Sequence, residues 1–304
     1  ALTSDTKGSR SVAVGYSALT VQNFTTATNS YNTGVGYEGG TNITTGIHNT
    51  LAGGLAGRAL TDADYNTAVG MQALTSDTLG SRSTAIGMGA LYAQNFTTAT
   101  DAYNTALGFY AGVSLTTGNR NTLAGANSGD ALTTGYYNAV LGYGALGSDT
   151  KGAISTAVGY SALAAQNFTT AVLSYNTAVG YQAGFSLTTG QSNVFVGANA
   201  GDALTDADGN VAVGYAAIGG DTLGARAVAV GYGTLASQNF TTATSNYNTA
   251  VGYAAGNQIT TGIYNTLVGG LAGNQITTGQ NNVLMGVATG DALQGGNQNT
   301  AIGR

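Results

Sequence analysis

The chain has 304 residues and a net charge of −5, with 43% apolar but only 7% charged residues, and it contains neither cysteine nor proline. An acidic chain (pI about 4.4) without a basic cluster is a poor partner for nucleic acid or an anionic membrane, and no apolar run approaches the roughly 20 residues of a transmembrane helix. Without cysteine, disulfides and thiolate metal sites are excluded; without proline, continuous β-ladders can use nearly every backbone N–H.

From the first residues onward, a short apolar stretch ends in glycine at Gly15, Gly36, Gly53, Gly70 and Gly87, at intervals of 21, 17, 17 and 17 residues. Gly87, Gly159 and Gly231 each reopen a larger unit of 72 residues, and the last of 17 copies ends at Gly303. Self-similarity at a short fixed period predicts a solenoid, in which each repeat buries its apolar face only against its neighbours. The expected fold is an all-β parallel β-solenoid (β-roll) of about 17 short coils in one continuous array, 1–304. Its units are 1–72, 73–144, 145–216 and 217–288, with a partial unit 289–304. The chain starts in mid-repeat at Ala1 and stops on a half-finished rung, "NTAIGR", as expected of a segment of a longer repetitive protein.

Within one rung, Asn176 to Ser192, "NTAVGY" has the length and β-branched content of a strand. Gly180 and Gly184 then punctuate, "SLTTG" reads as a second short strand, and Gly190 turns the chain back. The residue before the repeated glycine is apolar in every copy, from Val14 to Ile302, and the one before that is apolar or glycine. Adjacent strand residues point to opposite faces, so both faces should be buried. One fills the thin core of the coil, and another chain is the economical cover for the other. Leu51 and Leu123 are followed by Ala52 and Ala124, which suggests that a large residue on one face is offset by a small one on the other.

Every fourth coil carries a four-residue insertion, "QNFTTAT" at Gln22, Gln94 and Gln238 and "QNFTTAV" at Gln166. At about 4.8 Å per coil, the insertions protrude about 19 Å apart along a segment about 80 Å long. Their constancy beside diverging neighbours points to a structural task. Phe24, Phe96, Phe168 and Phe240 are therefore expected to be buried clamps against an adjacent coil or a partner chain.

"SVAVGYSAL" (from Ser11), "STAIGMGAL" (from Ser83) and "NTAVGYQAG" (from Asn176) resemble the head repeats of YadA-type trimeric autotransporter adhesins. They are still more similar to the "NTAVGYQAL…TTG" repeats of bacteriophage tail-fibre shafts and related bacterial surface fibres. The resemblance covers the whole chain. It implies a homotrimer of parallel β-rolls serving as the stalk or head of a receptor-binding fibre.

Raw material for catalysis is scarce, since His48 is the only histidine and Glu38 the only glutamate, and neither recurs in the other units. The paired carboxylates Asp62/Asp64 and Asp206/Asp208 in "LTDAD" could share a calcium ion, but such a site wants about six to eight oxygens and two units lack the pair; a solvated corner is the plainer reading. No metal or other cofactor is expected. Asp5, Asp77, Asp149 and Asp221 recur at intervals of 72, with Arg10, Arg82 and Arg226 five residues further on, as sparse surface charges that keep rods from sticking. Tyrosines following the repeated glycine (Tyr16, Tyr37, Tyr143, Tyr160, Tyr181, Tyr215, Tyr232 and Tyr253) read as a stack sealing a groove, with sugar binding as the alternative. Asn23, Asn95, Asn167 and Asn239 lie in "NFT" and Asn42 in "NIT", glycosylation acceptors in a secreted protein of a suitable host and turn-forming residues otherwise. An ice-binding face would need an unbroken threonine array, which "TSDT", "GSDT" and "TDAD" interrupt.

These features lead to an extracellular fibre shaft or spacer, on a virion tail or a cell surface, and not to an enzyme. Its partners are other copies of itself, in a homotrimer, and a cell-surface receptor or glycan contacted through regions outside this segment. The alternative is a bacterial trimeric surface adhesin or extracellular filament that binds a host or substratum directly. A carbohydrate-active enzyme on a β-solenoid is more distant, because it needs acids clustered in one groove and this chain spaces them singly.

Overall fold

A computed structural model describes residues 1–304, and it contains β-strands and turns but no helix. The chain forms two compact units, Ala1–Ala153 with Thr169–Val172, and Ile154–Phe168 with Leu173–Arg304. Both are parallel β-solenoids, so the about 17 turns expected from the repeat are present. The first unit holds eight three-residue strands, from Val12–Val14 to Ala139–Leu141, and the second nine, from Thr156–Val158 to Thr300–Ile302.

Pairing runs from each turn to the next without a slip. In the first unit Ala13 faces Gly34, Leu51 faces Gly34 and Ala68, and Ala106 faces Ala85 and Leu123. In the second, Ala178 faces Ala157 and Phe195, and Leu284 faces Leu267 and Ala301. Each sheet is an open ladder and not a barrel, because the pairing always steps forward by one turn. The repeated glycine fixes the phase of every turn. Gly53 has φ +143°, a conformation that is nearly glycine's alone, and a Cβ there would lie 2.5 Å from the carbonyl oxygen of Gly70.

The inward strand residue is fully buried in nearly every turn, as at Leu51, Ala68, Ala85, Phe195 and Leu267. In most turns its size is balanced around the turn. Where both positions are small, as at Gly34 with Gly40 and Ala106 with Gly112, a neighbouring turn fills the space, so that a Cβ on Gly40 would lie 2.6 Å from Leu51 and one on Gly112 2.6 Å from Leu123. Leu51 is matched by Gly57, whose added Cβ would lie 2.6 Å from the leucine and 2.9 Å from Leu60. Ala68 and Ala85 are instead matched by the buried Leu74 and Leu91. The turns are of two kinds and come mostly in pairs: a glycine corner with a later inward Leu or Ile, and a leucine or isoleucine corner with a later inward Asp or Gln. Ala52 and Ala124, the small residues paired with Leu51 and Leu123, lie on the outer face, partly exposed.

The stretch "SLTTG" is not a strand. Leu187 does point inward, but the coil-to-coil bonding converges on single carbonyls, as where Thr44 and Gly46 both donate to Thr61 O at 2.9 and 3.2 Å. One oxygen taking two donors breaks the even spacing of a parallel ladder. Second strands appear only beside the insertions, where Gly8–Ser9 pairs with Thr28–Asn29, Gly80–Ser81 with Thr100–Asp101, and Gly224–Ala225 with Thr244–Ser245.

Candidate functional site

Inside each coil runs a column of buried asparagines, four residues before the repeated glycine. Asn49 N donates to Asn32 Oδ1 and Asn66 N to Asn49 Oδ1, each at 2.9 Å, while Asn49 Nδ2 reaches Ala63 O at 2.8 Å. Asn193, Asn210, Asn265 and Asn282 repeat the arrangement in the second unit. A buried amide must find partners, and here each turn supplies them to the next. The coil before each insertion interrupts the column with Ser11, Ser83, Ser155 or Ala227, whose side chains are too short to continue it.

The insertion bridges that gap. Gln94 Oε1 accepts from Asn104 Nδ2 at 2.9 Å, and Gln94 Nε2 donates to Ser83 Oγ at 3.1 Å and to Asp77 Oδ2 at 2.5 Å. Asp77 Oδ1 accepts the backbone amides of Gly80 and Phe96, both at 3.0 Å. Asp221 with Gln238 and Phe240, and Asp5 with Gln22, repeat the connection. Phe24, Phe96, Phe168 and Phe240 are only 4–6% exposed, and a Cβ on Gly80 would lie 2.8 Å from the Phe96 ring.

Reading the aspartates as surface charges is therefore corrected: Asp77, Asp149 and Asp221 are fully buried. Asp77 and Asp221 serve as acceptors for the turn that follows. Asp5, at the open end of the first coil, is less covered. Burial pushes its carboxyl up, but hydrogen bonds from Gln22 and from the amides of Gly8, Phe24 and Lys7 outweigh this and hold it below the usual value.

The outer strand column is at least partly uncovered in the single chain, 57% exposed at Val14, 77% at Ile302 and 36% at Val69 and Val251, with Val158, Val213, Val230 and Val268 half-buried. Next to it, Tyr16 stacks on Tyr37 with ring centroids 5.3 Å apart, Tyr160 on Tyr181 at 5.4 Å, and Tyr232 between Tyr215 and Tyr253 at 5.1 and 5.5 Å. Stacked rings spend their facing sides on one another, and only the ends of a stack, as at Tyr37 beside Gly54 and Tyr253 beside Gly270, leave a ring face open.

A second aromatic column, five residues before the glycine, was not anticipated from the sequence, although "YNT" and "HNT" mark it. His48 lies between Tyr31 and Tyr65 at 5.1 and 4.9 Å. Arg82 covers Tyr65 and Tyr103 at 5.3 and 5.7 Å, and Arg120 covers Tyr103 and Tyr137 at 5.9 and 5.5 Å. Asp101 pairs with Arg82 at 2.8 Å and raises the pKa of its guanidinium. Residues here adopt φ near +50 to +60°, as at Tyr31 (+49°) and His48 (+59°), and the stack holds them there.

The "LTDAD" carboxylates are shared out rather than pooled. Asp62 accepts from Thr45 Oγ1 at 2.6 Å and Asp64 from the Ile47 amide at 2.7 Å; Asp206 and Asp208 do the same for Thr189 and Gln191, both at 2.7 Å. The chain brings together no group of three or more His, Asp or Glu side chains suited to a metal ion. Of the glycosylation candidates, Asn23, Asn42 and Asn239 are exposed and Asn95 and Asn167 partly so. Asn23, Asn95 and Asn239 each accept from a threonine of the preceding turn at 3.2, 3.0 and 3.1 Å. The first threonine of "TT" turns its hydroxyl along the coil axis, Thr44 to Thr61 O at 3.2 Å and Thr188 to Thr205 O at 3.1 Å, which leaves no outward hydroxyl array there.

Two shallow clefts interrupt the outer surface. One, of about 190 Å³, lies among Asp206, Asp208, Arg226, Thr244 and Ser245; the other, of about 240 Å³, is lined by Gln72, Tyr92, Tyr110 and Val113. Compared with known proteins, the chain matches no family model and no curated sequence. Function must therefore be argued from the surfaces themselves.

Proposed function

We propose that the chain is a structural fibre segment, a shaft or spacer built as a homotrimer, that carries a receptor-binding or adhesive element lying outside it. The observation that carries this reading is the outer strand face. Its apolar column is exposed or half-buried in every turn, and the tyrosines adjoining it are exposed. With about 4.8 Å per turn and about 16 Å across five extended residues, eight turns offer about 600 Å². That is the upper end of what monomers leave bare, and in each unit by itself it approaches the about 800 Å² that one partner gives a stable interface.

A second copy of the chain fits this face best. Any cover must match a surface that repeats at the turn spacing, and an identical chain has that period. Threefold assembly, and a location outside the cell or on a virion, follow from the resemblance to autotransporter heads and tail-fibre shafts. No catalytic role is proposed: the lone His48 is held between two tyrosine rings, and the buried aspartates serve the fold.

The test places charges on the face without touching the core. Val69→Lys combined with Val179→Lys should reduce the assembly to monomers by light scattering while the far-ultraviolet circular dichroism stays that of the native chain. An unchanged assembly mass would refute the face as the interface.

A further inference from the structure

We infer that the cleft formed by Gln72, Tyr92, Tyr110 and Val113 binds one neutral pyranose ring of a glycan. The inference stands apart from the shaft role, because the cleft lies on the turns that follow the strands rather than on the strand face.

Three observations carry it. First, two tyrosine rings that belong to neither ladder meet here. Tyr110, half-buried, packs with its centroid 4.2 Å and its plane 38° from Phe109 and lies over Gly89, where a Cβ would collide with its ring, so it is held as a fixed wall of the cleft. Tyr92, 37% exposed, stands between Thr75 and Val113 in its own column rather than between aromatic rings. Second, the polar ends are unused: the Gln72 amide and the Tyr92 and Tyr110 hydroxyls make no hydrogen bond within the chain. Third, the lining carries no charge, and at about 240 Å³ the cleft is smaller than the about 300–1,000 Å³ of drug-sized pockets. Apolar ring surface bordered by neutral donors and acceptors suits a sugar, whose C–H face is apolar and whose rim is hydroxylated. An ionic ligand would find no counter-charge, and a wholly apolar one would leave the amide and phenols unpaired.

The cleft is also singular. One repeat unit away in either direction, the position of Tyr92 holds Thr20 or Ala164, that of Tyr110 holds Glu38 or Gln182, and that of Val113 holds Thr41 or Phe185. Gly144 and Ala216 follow Gln72 at the same interval. One site per chain is therefore expected, in contrast to the many equivalent positions along the tyrosine ladders.

Saturation-transfer NMR on the intact chain with the methyl β-glycosides of glucose, galactose and N-acetylglucosamine tests this. Transfer to at least one glycoside is expected, with a stoichiometry of one per chain by titration. Binding should weaken by about tenfold or more in Tyr92→Ala and in Gln72→Ala, and persist in Tyr264→Ala, a more exposed tyrosine of the second ladder. Circular dichroism identifies any variant that has failed to fold, and Tyr92→Phe, which keeps the ring and loses only the hydroxyl, then replaces Tyr92→Ala with the same expected direction. No transfer from any of the three glycosides, several equivalents bound per chain, or binding indifferent to Tyr92 and Gln72 would each overturn the assignment.

Discussion

Gln94 ties three buried groups together through its side chain: Asp77, Ser83 and Asn104. Gln94→Ala removes the partner of the buried Asp77 Oδ2 and leaves Asn104 Nδ2 with only Gly118 O, at 2.8 Å, so stability should fall by about 1–3 kcal/mol in chemical denaturation. Thr98→Ala, at the exposed tip of the same insertion, should change it by less than about 0.5 kcal/mol. Phe96→Ala should cost about 3–5 kcal/mol, the range for emptying a buried aromatic site. Asp5 gives the pH dependence at this scale. Its carboxyl is held below its ordinary value, so the stability it contributes is present above the unfolded pKa and is lost as pH falls through the folded one. Amide exchange at Gly8, which donates to Asp5 at 2.7 Å, should therefore rise on acidification below the ordinary carboxylate range, relative to the Asn66 amide, which donates to the non-titrating Asn49 Oδ1. An unchanged ratio of protection at Gly8 and Asn66 throughout would contradict this. The phenylalanines were legible because an invariant aromatic in a loop has few other uses. The aspartates were not, because nothing along the chain reveals that Gln94 sits one turn above Asp77.

At the scale of the turn, the strands were readable in the sequence and the corners were not. A β-branched triplet before an invariant glycine has one plausible conformation. "SLTTG" has the same strand-like composition, and only the sharing of one carbonyl by two amides keeps it from being a strand. The matching of Leu51 with Gly57 and of Ala68 with Leu74 was equally hidden, because the partners are six residues apart around a corner and not neighbours in a pleat. This matching predicts a coupling. Gly57→Ala should destabilise through the close approach to Leu51 and Leu60 at φ +56°, by about 1–3 kcal/mol as for overpacking. Leu51→Ala should cost about 2–5 kcal/mol. The double variant should lose less than the sum of the two, by at least about 0.5 kcal/mol, because removing the leucine makes room for the methyl group. Strict additivity would mean that the corner and the strand do not share one volume.

Across the whole molecule, most large apolar side chains left in solvent fall on the strand face and the columns beside it, whereas the inward residues of the same strands are buried completely. Two adjacent apolar columns in the sequence already implied two buried faces; the structure supplies one of them, and the proposed assembly supplies the other. The turn-to-turn asparagine ladder and the second aromatic column belong to the single chain and need no partner, so they should survive dissociation. The most direct test is the mass of the native chain by sedimentation equilibrium across a range of concentrations. A threefold multiple of the 30.1 kDa chain mass, retained on dilution, is the predicted result. A folded species at 30.1 kDa would contradict the account, since the exposed column would then be a stable surface and not an interface.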